Sequence, residues 1–157
     1  MQRAVFSFVL VALLTMILAA GSLFLAGKGY PFGAVGLRRL DGIAAATTFA
    51  PLASVYFLSA ALMMLLPLRP AAFVLTHAAD VLFWAAVALL GTVVGLVAAQ
   101  FAFGQMRAPY ALAEWGYLYA LAVAACHFLL NSLRRNLLLR TLAFVGLLAA
   151  AGFCLVW

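Results

Sequence analysis

Residues 71–102 read AAFVLTHAADVLFWAAVALLGTVVGLVAAQFA, and this stretch decides the fold class. It is apolar along most of its length, and Asp80 is its single acidic residue. A transmembrane helix needs about 20 consecutive apolar residues, so this stretch is long enough to cross a bilayer and to be tilted, bent or extended beyond it. We therefore expect lipid to be the solvent for most of its side chains.

Four further apolar runs accompany it, at residues 4–26, 43–66, 110–130 and 142–157. Each run predicts a membrane-spanning helix, although the last is only just long enough, and a four-span bundle with that run lying flat is the alternative. The first run resembles a signal peptide, and we treat it as a retained helix. The predicted fold is an all-α integral membrane protein: one transmembrane domain, residues 1–157, with about five spans, short connections and up-down topology.

The composition supports this fold class, because 70% of the 157 residues are hydrophobic and 8% are charged. The net charge of +6 comes from basic residues confined to the gaps between apolar runs. This pattern predicts contact with anionic lipid headgroups and argues against nucleic-acid binding, which needs a basic surface facing water.

A small excess of basic residues on the N-terminal side places the N-terminus in the cytoplasm, and we expect a bacterial inner membrane. The longest polar stretch, residues 27–42, is predicted to be an interfacial loop.

Small residues follow one face of the third and fourth predicted spans. Gly91 and Gly95 form a GxxxG step in the third span, and Gly116 and Ala120 are spaced in the same way in the fourth. Small residues at this spacing let two helix backbones approach closely. Because consecutive spans with a short connection are antiparallel neighbours, we expect these two faces to pack together.

Ionisable residues inside membrane spans are functional candidates, because burying a charge in lipid is costly without a partner. His77 and Asp80 in the third span and His127 in the fourth meet this description. Two imidazoles from adjacent helices are the ligands that a b-type haem needs, so one hypothesis is an electron-transfer subunit with haem iron between His77 and His127. Arg134 would then neutralise a propionate.

Depth in the membrane argues against this pairing. Counted from the connection between the two spans, His77 and His127 differ in depth by roughly 12 Å. The gap closes if the third span effectively ends near Gly95 and residues 100–103 turn back. A second hypothesis pairs His77 with Asp80, one helical turn apart, as the proton-handling site of a proton-linked transporter or channel element.

No phosphate-binding loop, zinc motif or nucleophile elbow occurs in the chain, and three acidic residues leave little for hydrolytic chemistry. The sequence therefore supports no hydrolase or transferase activity, predicts no metal beyond a haem iron, and leaves the cofactor open.

No motif assigns the chain to a family. The function that the sequence favours is a small polytopic subunit or accessory protein of a larger membrane complex, whose small-residue faces pack against partner subunits or against each other.

Overall fold

The computed structural model describes residues 2–44, 49–65, 69–133 and 137–156, and no strand occurs among them. The predicted all-helical class is confirmed. The helices are α1 (Gln2–Gly27), α2 (Pro31–Ala44), α3 (Phe49–Leu65), α4 (Arg69–Ala102), a 3₁₀ helix (Ala108–Ala113), α5 (Trp115–Leu133) and α6 (Leu137–Val156).

Three helical segments among the described residues are long and apolar enough to cross a membrane: α1, the Val74–Ala102 part of α4, and α6. Helix α3 and the Trp115–Leu130 part of α5 are apolar but shorter. Large apolar side chains cover the outside of α1, where Phe6 is 69% exposed. A surface of this kind is stable in lipid and prone to aggregation in water, so the structure fits an integral membrane protein.

Residues 27–42 do not form the predicted loop, because helix α2 begins within them and packs against α1. Pro31 occupies the first helical position, where its fixed φ and missing N–H suit a helix start. Gly29 has a φ of +83°, which lets the chain reverse after α1. At Gly33 a β-carbon would collide with the backbone of Ala26 in α1, so the two backbones are close. Glycines and arginines interrupt the apolar residues of α2 in the sequence, and for this reason the helix was missed.

The chain forms two compact units, of which the first comprises Met1–Thr47 and Val87–Leu118. Its helices approach closely at Gly95 in α4, where a β-carbon would collide with the Ala12 carbonyl oxygen of α1 and lie 2.9 Å from Thr15 Cβ. Gly91 repeats the contact one turn earlier, with the Phe8 carbonyl oxygen 2.9 Å from a β-carbon position. The GxxxG step therefore packs against α1. The sequence predicted instead that it would pack against the small-residue face of the fourth span.

The connection after α4 turns back along that helix. Gly104 ends α4 with a φ of +85°, and the 3₁₀ helix then places Ala108 in a buried cluster with Val93 and Val97. As a result α5 begins five residues later than the predicted span 110–130. The sequence expected the third span to end effectively near Gly95 with residues 100–103 turning back, but α4 continues to Ala102 and the chain turns back only after Gly104.

The second unit comprises Thr48–Ala86 and Tyr119–Trp157. In it α3 packs along α6, and the hydroxyl of Ser54 donates a 2.9 Å hydrogen bond to the Ala151 carbonyl oxygen. The guanidinium of Arg140 donates to the Met64 carbonyl oxygen near the end of α3, which satisfies a group that the helix leaves unpaired.

The close approach at Gly95 generates a stability prediction. We expect Gly95→Ala to lower the free energy of unfolding by about 1–3 kcal/mol, the usual effect of overpacking, because the new methyl group meets backbone rather than a flexible side chain. Gly146→Ala in α6 is the matched control, since a β-carbon there has nothing within 4 Å. It should be neutral or stabilising by about 1 kcal/mol from helix propensity. Denaturant unfolding in detergent measures both, and equal effects would contradict the packing.

Candidate functional site

An aspartate and a histidine from two helices meet inside the second unit. Oδ1 of Asp80 on α4 lies 3.8 Å from Nε2 of His127 on α5. This separation is too long for a hydrogen bond, but the two groups form an ion pair when the imidazole is protonated. At about 1.5 Å of rise per residue, Asp80 lies about 9 Å from Val74, where the apolar part of α4 begins, and His127 about 4.5 Å from Leu130, where the apolar part of α5 ends. Both residues therefore lie within the apolar parts of their helices, where ionisable side chains are rare.

Aromatic side chains hold the imidazole of His127 in place. The ring of Phe83 stacks on it with centroids 4.1 Å apart and planes 15° apart, and Phe83 itself is 4% exposed. Phe128 meets Phe83 edge-on, and the ring of Tyr56 in α3 lies beside the imidazole, tilted by 47° with the centroids 6.3 Å apart. Packing of this density restricts rotation of the ring, and it directs Nε2 toward Asp80.

The opposite nitrogen of the imidazole has a different environment. His127 Nδ1 is buried and has no hydrogen-bond partner among the residues that the structure describes. The hydroxyl of Tyr56, a side chain with no solvent exposure, likewise has no hydrogen bond of ordinary geometry in the described part of the chain. The polar group beside it is the thiol of Cys126, which is a weak hydrogen-bonding group. The site is thus polar on the Asp80 side and nearly apolar behind the ring.

The side chains of Asp80 and His127 also differ in solvent exposure. The side chain of Asp80 is 50% exposed and that of His127 is 26% exposed. The carboxyl group is therefore the accessible member, and the imidazole lies behind it against Phe83 and Tyr56.

The sequence paired Asp80 with His77, and the structure brings His127 to the same carboxylate. His77 lies one turn earlier on α4, about 4.5 Å nearer the helix start, and its side chain is exposed. Among the described residues, His127 lies within ion-pair distance of Asp80. The sequence identified both Asp80 and His127 as candidates but did not bring them together, because it placed α5 without the returning 3₁₀ helix.

The haem hypothesis gains no support from this geometry. An iron ligand must direct one ring nitrogen at the metal, but His127 Nε2 faces the Asp80 carboxylate and Nδ1 is enclosed by protein. The proposed propionate partner, Arg134, lies outside the described residues. No group of three or more His, Cys, Asp and Glu side chains in the described ranges could hold a metal ion.

The predicted packing residues fall in both units. Gly91 and Gly95 contact α1 in the first unit, as described above. Ala120 in α5 is fully buried in the second unit, whereas Gly116 lies in the first turn of α5 and is half-buried.

Sequence reasoning missed Phe83 and Tyr56, which shape the site. Phe83 could have been found, because it lies three residues after Asp80 and so shares its helix face. For Tyr56 the sequence carries no such signal, since its position depends on how α3 packs in the second unit.

Comparison with known proteins gives no further constraint: no protein-family model, curated protein or solved structure matches the chain.

The unpartnered hydroxyl of Tyr56 generates a second stability prediction. We expect Tyr56→Phe to leave the free energy of unfolding unchanged or to raise it by about 1 kcal/mol, because it removes a buried polar group that lacks a hydrogen bond. Ser54→Ala, which deletes the bond to Ala151, should instead cost about 1 kcal/mol. Unfolding in detergent distinguishes them. A Tyr56→Phe variant as destabilised as Ser54→Ala would show that the hydroxyl has a partner after all.

Proposed function

We propose that this protein is a proton-handling membrane protein, in which Asp80 and His127 hold and exchange one proton as part of a proton-linked transporter or channel element. The observation that supports the proposal is the 3.8 Å contact between Asp80 Oδ1 and His127 Nε2 within two apolar helices. Paired carboxyl and imidazole groups at membrane depth are the usual components of proton relays in pumps and transporters.

The chemistry of the pair suits reversible proton transfer. Imidazole gains and loses a proton near neutral pH, so small changes in its surroundings alter its charge. A proton bound by the Asp80 carboxylate can pass to His127 Nε2, which leaves an imidazolium beside a carboxylate. The reverse transfer restores a neutral pair. One proton is conserved in each direction, and no other reactant is needed.

The unequal exposure of the two side chains assigns their roles. Asp80, with half of its side chain exposed, is the group through which a proton enters and leaves. His127 is held by the stacked ring of Phe83 and receives the proton at a nitrogen that already faces the carboxyl group. Phe83 acts as a positioning residue, because it touches the imidazole and carries no proton itself.

We further propose that α1, α3, α4, α5 and α6 are five spans of a bacterial inner-membrane protein with a cytoplasmic N-terminus. The three long apolar helices and the two shorter ones support this number. The accessory-subunit function that the sequence favoured rests on small-residue faces that pack against partners or against each other, and the face at Gly91 and Gly95 packs against α1 of the same chain. This contact favours neither function, whereas the contact between Asp80 and His127 supports proton handling.

Proton flux into liposomes tests the proposal. Purified protein is reconstituted around an internal pH-sensitive dye, and a potassium diffusion potential set by valinomycin drives protons inward. We expect the wild type to acidify the lumen faster than protein-free liposomes do. Asp80→Asn and His127→Gln should both fall to the protein-free rate, because each removes one of the two groups that share the proton.

His77→Gln is the control that separates this pair from the one that the sequence proposed. It removes the neighbouring imidazole on α4 but leaves the Asp80–His127 contact, so it should retain the wild-type rate. Circular dichroism and size-exclusion chromatography confirm that the variants fold. A wild-type rate for Asp80→Asn, or a wild type no faster than protein-free liposomes, would refute the proposal.

A further inference from the structure

The first unit contains a polar cleft that the proton pair does not use. Its volume is about 340 Å³, and its lining combines both signs of charge with amide, hydroxyl and small apolar groups. The charged side chains are Asp41 of α2, Arg107 before the 3₁₀ helix, and Glu114 after it. Asp41 and Glu114 are two of the three acidic residues in the whole chain.

One carboxylate in the cleft is already oriented. The side-chain amide of Gln100 in α4 donates a 3.0 Å hydrogen bond to Asp41 Oδ1. This bond fixes one oxygen and leaves the rest of the carboxylate free to accept from a ligand. Among the described residues Arg107 and Glu114 form no ion pair, although both line the cleft. The cleft therefore offers a cation site and an anion site that the chain itself does not neutralise.

The position of the cleft along α4 places it at headgroup level. Gln100 lies in the last turn of the apolar segment Val74–Ala102, so the cleft opens where that segment leaves the hydrocarbon. Exposed aromatic side chains surround this end of the unit, as they do at membrane interfaces. They are Phe101 (55% exposed), Phe103 (49%), Tyr110 (75%) and Trp115 (54%).

We propose that this cleft binds the headgroup of phosphatidylethanolamine, in which a primary ammonium and a phosphate lie two carbons apart. The ammonium can donate hydrogen bonds to the carboxylates of Asp41 and Glu114, and the phosphate can accept a charge-assisted pair from the Arg107 guanidinium. A choline headgroup keeps the charges but cannot donate, and a glycerol headgroup has no cation for the carboxylates. The volume accommodates a headgroup while the acyl chains stay in the bilayer.

Native mass spectrometry of the purified protein tests this assignment without relying on a variant. The protein is released from detergent micelles that contain equal amounts of phosphatidylethanolamine, its mono- and dimethylated forms, phosphatidylcholine and phosphatidylglycerol. We expect bound lipid to fall along the methylation series and to be about tenfold lower for phosphatidylcholine, as for the loss of one charge-assisted hydrogen bond. Equal retention of all five lipids would overturn the proposal.

Two variants locate the binding. Asp41→Asn combined with Glu114→Gln should abolish the preference for phosphatidylethanolamine, and Arg107→Gln should lower retention of every phospholipid at the site. Arg38→Gln is the matched control, because Arg38 is an exposed arginine of α2 that does not line the cleft. An unchanged preference in the double variant, or equal losses in Arg107→Gln and Arg38→Gln, would contradict this site.

Free phosphoethanolamine distinguishes a bilayer lipid from a soluble compound with the same charges. We expect an excess of the free compound to leave the bound lipid in place, because the acyl chains hold the headgroup near the cleft. Displacement at stoichiometric amounts would overturn the lipid assignment. Proton flux does not enter this experiment, so failure here leaves the Asp80–His127 proposal unaffected.

Discussion

A carboxyl group inside an apolar helix needs a polar partner, and Asp80 finds one in His127. The arrangement of the second unit follows from this requirement. Helix α5 must present its histidine at the depth of Asp80, and the stacked ring of Phe83 then keeps the imidazole turned toward the carboxylate. Tyr56 of α3 lies beside the imidazole, with ring centroids 6.3 Å apart. One ionisable residue thereby restricts the relative positions of three helices that would otherwise pack through interchangeable apolar contacts.

In the first unit, close contact between helix backbones restricts the relative positions of the helices. Apolar side chains alone give little specificity between helices in lipid, because lipid tails are as apolar as leucine. At Gly91 and Gly95 the absence of a β-carbon brings the α1 backbone against α4, which fixes the register of the two helices. The polar cleft near the end of α4 lies in this unit, and its Gln100–Asp41 hydrogen bond links α4 to α2. The two units therefore use different physical means to define their helix positions.

The sequence predicted the helical class and the apolar segments well, because lipid leaves the backbone few alternatives to the helix. The end of the third span at residue 102 was predicted correctly. Helix α2 was missed because its glycines and arginines obscure the apolar pattern, and the late start of α5 was missed because a 3₁₀ helix has no hydrophobic period of its own. Asp80 and His127 were identified from their cost in lipid, but their pairing depended on that returning connection, which no local pattern reveals.

The distance between Asp80 and His127 in a lipid bilayer tests the account most directly. In a His77→Gln, Asp41→Asn background, His127 is the only histidine and Asp80 the only aspartate, so ¹⁵N-histidine and ¹³C-aspartate label this pair alone. Solid-state NMR dipolar recoupling then measures the separation between the ring nitrogen and the carboxyl carbon. We expect strong dephasing that fits the 3.8 Å contact between Nε2 and Oδ1. Dephasing absent at long mixing times would place the groups too far apart for an ion pair and contradict it.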